Sequence, residues 1–398
     1  MNRQKSALHK SDSAPFILLL LINAFIYIPN ALYYPFLNAY YKTAGLSATK
    51  IGILSTISPV CYILIQPVVT RLSDRLGKPK AFSMAGVAGV VLSLASYYLG
   101  NTFLSFFISA SLLAAFCCPV YPLTDSMVIR NAFKKNYNYA HIRLGGTFGY
   151  AIAVLLVSFI LSQHKQLLFF MGMAGYAVLF ILLAFLPRSE NQRPKVIEKR
   201  AKRRTFSISE LFTTNEVLFV LLFAFIFQVG AGFMYAFLNV YVVELGYDAR
   251  AIGILQCISS LSEAPILLCV RKVEKKIAPI IIIAAATILL SFRLFLVSGG
   301  TMTFFIIAQA MNGMTYMFVH FCTATYVANH VRPEHASEGQ GMIYLVQMGF
   351  AAILSTLAGG ILVDAAGSQA AYRITGAMTL AAASLVTVAM VIYRKKHA

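Results

Sequence analysis

The segment "FLNAYYKTAGLSATKIGILSTIS" (36–58) returns as "FLNVYVVELGYDARAIGILQCIS" (237–259), ungapped, at a constant offset of 201 residues. Phe-Leu-Asn, a tyrosine, a glycine and Ile-Gly-Ile-Leu recur in register. Self-similarity at a fixed offset is the trace of a duplicated structural unit. The fold follows from what each copy contains.

Outward from the first copy, apolar runs fall at 15–40, 50–69, 81–99, 102–128, 144–162 and 166–187. Around the second they fall at 216–243, 251–270, 278–298, 302–328, 341–363 and 369–393. Each is near the roughly 20 residues that cross a bilayer as a helix. With 59% hydrophobic and 12% charged residues and a mean hydropathy of +0.74, the chain lacks the charge a soluble surface needs. No period-2 alternation marks barrel strands. The expected fold is an all-α membrane protein of twelve transmembrane helices in two pseudo-symmetric six-helix bundles. The bundles are 1–187 and 216–398, with 188–215 as a basic linker. Repeats related about an axis along the membrane normal are a recurrent transporter architecture, with the solute held near the midplane.

The net charge of +19 raises nucleic acid as a partner, and its placement argues against that. Of 33 Lys and Arg, only Lys42, Lys50, Lys165, Arg250 and Arg373 fall on one side of the implied membrane. The bias puts both termini and the linker in the cytoplasm, beside anionic headgroups of a cell membrane. "MNRQK" leads into a first span too long for a signal peptide. The six cysteines lie in or beside apolar runs without metal-type spacing and read as small buried residues. No metal cluster, nucleotide loop or nucleophile–base set is visible, so neither an enzyme, nor an ATP-driven pump, nor a cofactor is expected.

Asp125 and Glu263 are acids that do not map clearly to loops or span ends. An ionised side chain at mid-bilayer costs about 2.5–3.5 kcal/mol on insertion scales, so it faces a cavity or a partner. Counting 1.5 Å per residue from Ala251 puts Glu263 about 18 Å deep, near the midplane. It is expected in a central cavity, where a neutral acid is affordable and an unpaired carboxylate is not; a hydrogen-bonded structural carboxyl is the other reading. Arg293, in "ILLSFRLFLV", is a partner for Glu263 or for an anionic solute, or reaches the headgroups. His320 titrates in the working range or packs through a hydrogen bond. Asp125 and Arg143 flank the short connection after the fourth run, where a salt bridge or an interfacial pair is feasible. Asn312, Asn38, Asn239, Tyr34 and Gln228 are further substrate-binding candidates, with Asn23, Asn30, Gln66 and Gln309 as polar cavity candidates.

After the second run comes "TRLSDRLGKPK" (70–80). It resembles the signature loop of the major facilitator superfamily, G-x-x-x-D-R-x-G-R-K, at Asp74, Arg75, Gly77 and Lys78. Thr70 replaces the first glycine. The resemblance implies a gating loop in which Asp74 faces a neighbouring helix N-terminus. The acid ending helix 4, an arginine 18 residues on, the helix 8 glutamate and the helix 9 arginine are similar to the lactose permease branch. That likeness implies substrate-site roles for Asp125, Arg143 and Glu263, and a coupling role for Arg293. Asn312 and Thr315 stand where that branch has its helix 10 histidine and glutamate, and tryptophan is absent. "PLTD", "HIRLGG", Glu263 and His320 look closer to the phenylpropionate permease group and, more loosely, to nucleoside–proton symporters.

The expected function is secondary active transport, a proton-coupled uptake of a sugar, nucleoside or aromatic acid, by a chain working as a monomer. Glu263, Arg293 and His320 are the proton-coupling candidates. The rival is a proton-driven drug exporter. Helix 5, "RLGGTFGYAIAVLLVS", lacks the proline of the exporter motif and favours uptake.

Overall fold

The computed structural model describes residues 13–187, 216–331 and 336–397. The linker 188–215 lies outside them. Nine helices have simple bounds: α1 Ser13–Thr43, α2 Ala48–Leu76, α3 Pro79–Ser96, α4 Phe103–Lys134, α5 Tyr139–Gln163, α6 Leu168–Phe185, α7 Glu216–Glu244, α8 Ala249–Glu274 and α9 Pro279–Ser298. Then α10 runs over Met302–His330 with a π turn inside it. Eleven helices among the described residues are long and apolar enough to cross a membrane, and the last, Gly339–Lys396, has 58 residues. At 1.5 Å per residue that is about 87 Å, far beyond one bilayer. Gly367 breaks it with φ 77° and ψ 159°. The segment is therefore two spans, α11 (336–366) and α12 (368–397), which completes the expected twelve.

The helices outrun the apolar runs because polar turns continue them beyond the bilayer. Local chemistry sets their ends. Ser47 caps α2 and Asp248 caps α8, each at the same place in the repeat. Gly45 (φ 86°) and Gly246 (φ 85°) close α1 and α7 in the left-handed conformation, which costs glycine no side-chain clash. Leu46 N–H then returns to Tyr41 O and Tyr247 N–H to Val242 O. Pro79 and Pro279 open α3 and α9, where a missing N–H is harmless.

The two halves meet along α2 with α11, α5 with α8, and α1 with α7. The repeated glycines sit in these seams. A side chain at Gly52 would strike Thr356 O on α11, and one at Gly253 would strike Ser158 on α5. Asn38 Nδ2 donates to Ala236 O at 2.9 Å, and Asn239 Nδ2 donates to Pro35 O at 2.7 Å. Ala236 is the repeat mate of Pro35, so these two bonds are one contact made twice.

More bonds cluster at the same end. Lys42 pairs with Glu244 at 2.7 Å, and Ser368 also bonds Glu244. Asp364, on α11, accepts from Ala48 N and Thr49 N at 2.8 Å each, capping α2 from the other half. A carboxylate there also meets the positive pole of the helix. This end is closed. At the opposite end Gly77 caps α2 in the left-handed conformation (φ 63°), and the Asp74 side chain has no partner among the described residues. Lys80 Nζ donates there to Ala184 O and Leu186 O, ending α6.

Candidate functional site

Between the halves lies a cavity of about 580 Å³. From the first half come Tyr27, Tyr34, Asn38, Tyr62, Arg143 and Tyr150. From the second come Gln228, Tyr235, Asn239, Glu263, Asn312 and His320. The cavity runs from the reciprocal asparagines at the closed end to Arg143, on the second turn of α5.

Glu263 is held from behind. Asn312 Nδ2 donates to Glu263 Oε1 at 3.1 Å, and Tyr235 OH donates to Asn312 Oδ1 at 3.2 Å. Asn312 is 2% exposed and opens the π turn Gly313–Met317 of α10. Single π turns carry main-chain groups out of the regular ladder and recur at functional sites. This one is docked to α8, since Gly313 N–H donates to Ser262 Oγ at 2.9 Å. His320, one turn on from Tyr316, stacks on that ring with centroids 5.6 Å apart.

Arg293 does not pair with Glu263, contrary to one expectation. It is 1% exposed, and its Nε donates to Ala308 O at 2.8 Å. Its two terminal nitrogens donate to Thr315 Oγ1 and Gln309 Oε1. The reason is packing: α9 lies against α7, α10 and the 336–397 segment, so its arginine meets α10 first. Three bonds to α10 brace the turn that carries Asn312, which in turn holds Glu263. Gln309 is spent in the same brace.

Asp125 and Arg143 form no ion pair either. Tyr139 sits one turn nearer the α4–α5 connection on the same face of α5, and its hydroxyl donates to Asp125 Oδ1 at 2.6 Å. Asn23 Nδ2 adds a 3.3 Å bond to the same oxygen. Arg143 lies over the Tyr27 ring, 4.3 Å from its centroid, and the Tyr27 and Tyr121 hydroxyls are bonded to each other. A cation over an aromatic face is attracted by the ring quadrupole. Neither Asp125 nor Arg293 lines the cavity, and neither do Asn23 and Gln66.

Sequence reasoning passed over Tyr62, Tyr150, Tyr235, Tyr316 and Gln256 on the cavity wall. The offset of 201 residues carries a signal for one of them: Tyr62 is the repeat mate of Glu263. It also passed over Asp364, because an acid at a span end reads as solvated.

Residues 22–374 match the model of the MFS_1 like family. The chain is 24% identical over 372 residues to the uncharacterized transporter YwbF of Bacillus subtilis (strain 168), covering 91% of this chain and 90% of the relative. It is 25% identical over 335 residues to a maltose permease of Geobacillus stearothermophilus, with 83% of each chain covered. The crystal structure of the nucleoside transporter NupG superposes with a TM-score of 0.78 at 16% identity, covering 94% of this chain and 98% of that one, and so shares its fold. Two homologous six-helix bundles around a polar cavity, a matched family model and permease relatives agree: the chain belongs to the MFS_1 like family and is a major facilitator superfamily transporter, not an enzyme.

Proposed function

We propose that the chain takes up an uncharged or weakly charged organic solute together with a proton, by alternating access between bodies 1–187 and 216–398. The observation that carries this reading is Glu263, a mid-span carboxylate in the cavity with one neutral donor and no ion pair among the described residues. Its charge cannot cross apolar surroundings cheaply. A proton removes that charge, and α8, which bears Glu263, packs against α5, which bears Arg143. The charge on Glu263 thus sets the attraction between the halves at this level, and protonation with solute bound frees them to move. Arg143, Asn312, Asn38, Asn239, Tyr34 and Gln228 are the substrate-binding candidates. His320 remains a second proton site, and Arg293 acts through the α10 turn.

With the termini in the cytoplasm, the closed end faces outward and this conformation opens inward. Asp364 on the first amides of α2 then holds the outer end shut. Asp74, at the far end of α2, is the matching acid for the N-terminus of α11 when the inner end closes. Arg75, Gly77 and Lys78 shape that loop. The relatives named for maltose and nucleosides support a sugar or nucleoside as solute.

Proteoliposomes with an imposed inward proton gradient test the reading, with uridine, maltose and phenylpropionate as solutes. The parent chain is expected to concentrate one of them. Glu263→Gln is expected to abolish accumulation while keeping exchange of labelled for unlabelled solute. Full accumulation by that variant rejects the proton site, and extrusion against the gradient rejects uptake.

A further inference from the structure

The central cavity has an annexe. Between α1, α2 and α4, within the first half, lies a second space of about 200 Å³. Tyr34, Asn38, Ser55, Ser58 and Tyr62 line both spaces and form the opening between them. Deeper in, the walls are Asn30, Tyr33, Tyr41, Tyr97, Ala114 and Cys117. The helices around it are rich in proline: Pro29 and Pro35 lie within α1, Pro59 within α2, and Pro119 and Pro122 within α4. Each removes a main-chain donor from its helix ladder.

The lining has a definite character. Among the described residues no acid, lysine, arginine or histidine faces this space. Tyr41 and Tyr97 bond each other at 2.7 Å, whereas Asn30, Tyr34, Ser58 and Tyr62 have no side-chain hydrogen bond among the described residues. The half-buried Asn30 amide and Ser58 hydroxyl, left without partners, are ready for a ligand or water, and the Tyr34 and Tyr62 hydroxyls stand open at the mouth. The second half is not built this way. At the repeat-related positions Ala231, Met234, Val242 and Glu263 replace Asn30, Tyr33, Tyr41 and Tyr62. The annexe is therefore no by-product of the duplicated fold.

Resting on the proposed transport function, we infer that the annexe is a binding compartment for the uncharged, hydroxyl-bearing ring of the solute, a glycosyl unit or a nucleoside. Tyrosine faces take the flat apolar side of such a ring, and the free amide and hydroxyls replace the water on its edge. A charged group would lose its hydration there with no counter-charge in reach. Glu263 and Arg143 stay outside, in the central cavity, for the coupling.

The chain contains no tryptophan, so Tyr62→Trp places one reporter at the annexe mouth with no competing signal. The full-length protein in detergent is titrated with uridine and with maltose. One of the two is expected to change the emission saturably, and which one responds tells nucleoside from sugar. Adding Ala114→Leu, on the wall away from the central cavity, is expected to weaken that probe at least tenfold with the melting temperature of the empty protein unchanged. Calorimetric titration of the parent chain and of Ala114→Leu alone gives the same comparison if Tyr62→Trp does not fold. Equal affinity with and without Ala114→Leu overturns the inference, and so does binding of neither probe. The two readings fail separately. Proton-driven accumulation of a charged solute with no ring binding leaves the carrier standing and removes the annexe. Ring binding lost through Ala114→Leu without any proton-driven accumulation does the reverse.

Discussion

The hairpins α1–α2 and α7–α8 descend from one sequence and have kept and lost different things. They kept what joins the halves: Asn38 with Asn239, Gly45 with Gly246, and Gly52 with Gly253 all do the same job in both copies. On the walls the likeness is partial: Tyr34 with Tyr235 and Ser58 with Ser259 line the cavity unchanged in both copies, while other wall positions have diverged. Tyr62 stands opposite Glu263 in the repeat, and Asn30, Tyr33 and Tyr41 stand opposite Ala231, Met234 and Val242. The difference teaches that the repeat records the frame and part of the shared wall, while the proposed proton site and the annexe lie at its exceptions. A secondary transporter needs both a frame whose halves rock against each other and a site held between them.

The largest effect that sharpens this comparison is expected at the paired glycines. Gly52 meets the main chain of α11, and Gly253 meets both the Ser158 side chain and Val154 O of α5. Backbone cannot step aside as a side-chain tip can, and overpacking of this kind costs about 1–3 kcal/mol or more. Gly52→Val and Gly253→Val should each cut uptake at least tenfold in proteoliposomes holding equal amounts of folded protein. Near-normal uptake in one and not the other would break the claim that the two seams are equivalent.

That frame was legible in the sequence because glycine, asparagine and the apolar quartet recur at one offset. The place of Glu263 was legible for another reason, since a charge deep in an apolar run has few tolerable surroundings and a cavity is one of them. The partners of Arg293 were not legible. They depend on the π turn of α10, which shifts Thr315 and Asn312 out of ordinary helical phase, and no residue pattern in "QAMNGMTYMFVHFC" announces it. The annexe was hidden because tyrosines in an apolar run read as packing. Its walls come from three helices and face one another only after folding. Asp125 was misjudged by a single turn, as Tyr139 reaches it before Arg143 can.

A smaller effect is expected from the reciprocal asparagines. Each gives one neutral hydrogen bond across the halves, worth about 0.5–1.5 kcal/mol net. Asn38→Ala or Asn239→Ala should therefore speed opening of the closed end about two- to tenfold, read as hydrogen–deuterium exchange of 44–49 and 245–250. Asn239 is 4% exposed and Asn38 half-buried, so the Asn239 change should be the larger. If each bond is an independent copy of one contact, the two effects add in the double variant, whereas neighbours that depend on each other do not add. Strong coupling would mean the pair acts as one latch rather than as two copies of a contact.

The smallest effect belongs to a contact the repeat does not share. Lys42 and Glu244 pair at 2.7 Å across the halves, yet their repeat mates are Val243 and Thr43, so no second pair exists at the related place. Their side chains are 32% and 24% exposed, which leaves water close to both charges. Such a pair contributes about 0.2–1 kcal/mol and weakens as salt rises. Lys42→Gln should quicken exchange of 44–49 by less than about fivefold in dilute buffer. At about 1 M salt, where charges are screened beyond roughly 3 Å, the variant and the parent should exchange alike. The asparagine variants should keep their difference at that salt, because an amide–carbonyl bond carries no net charge to screen. If high salt erased the asparagine effect as well, the duplicated bonds would be following the ion pair, and the closed end would be held by an unrepeated contact rather than by the frame.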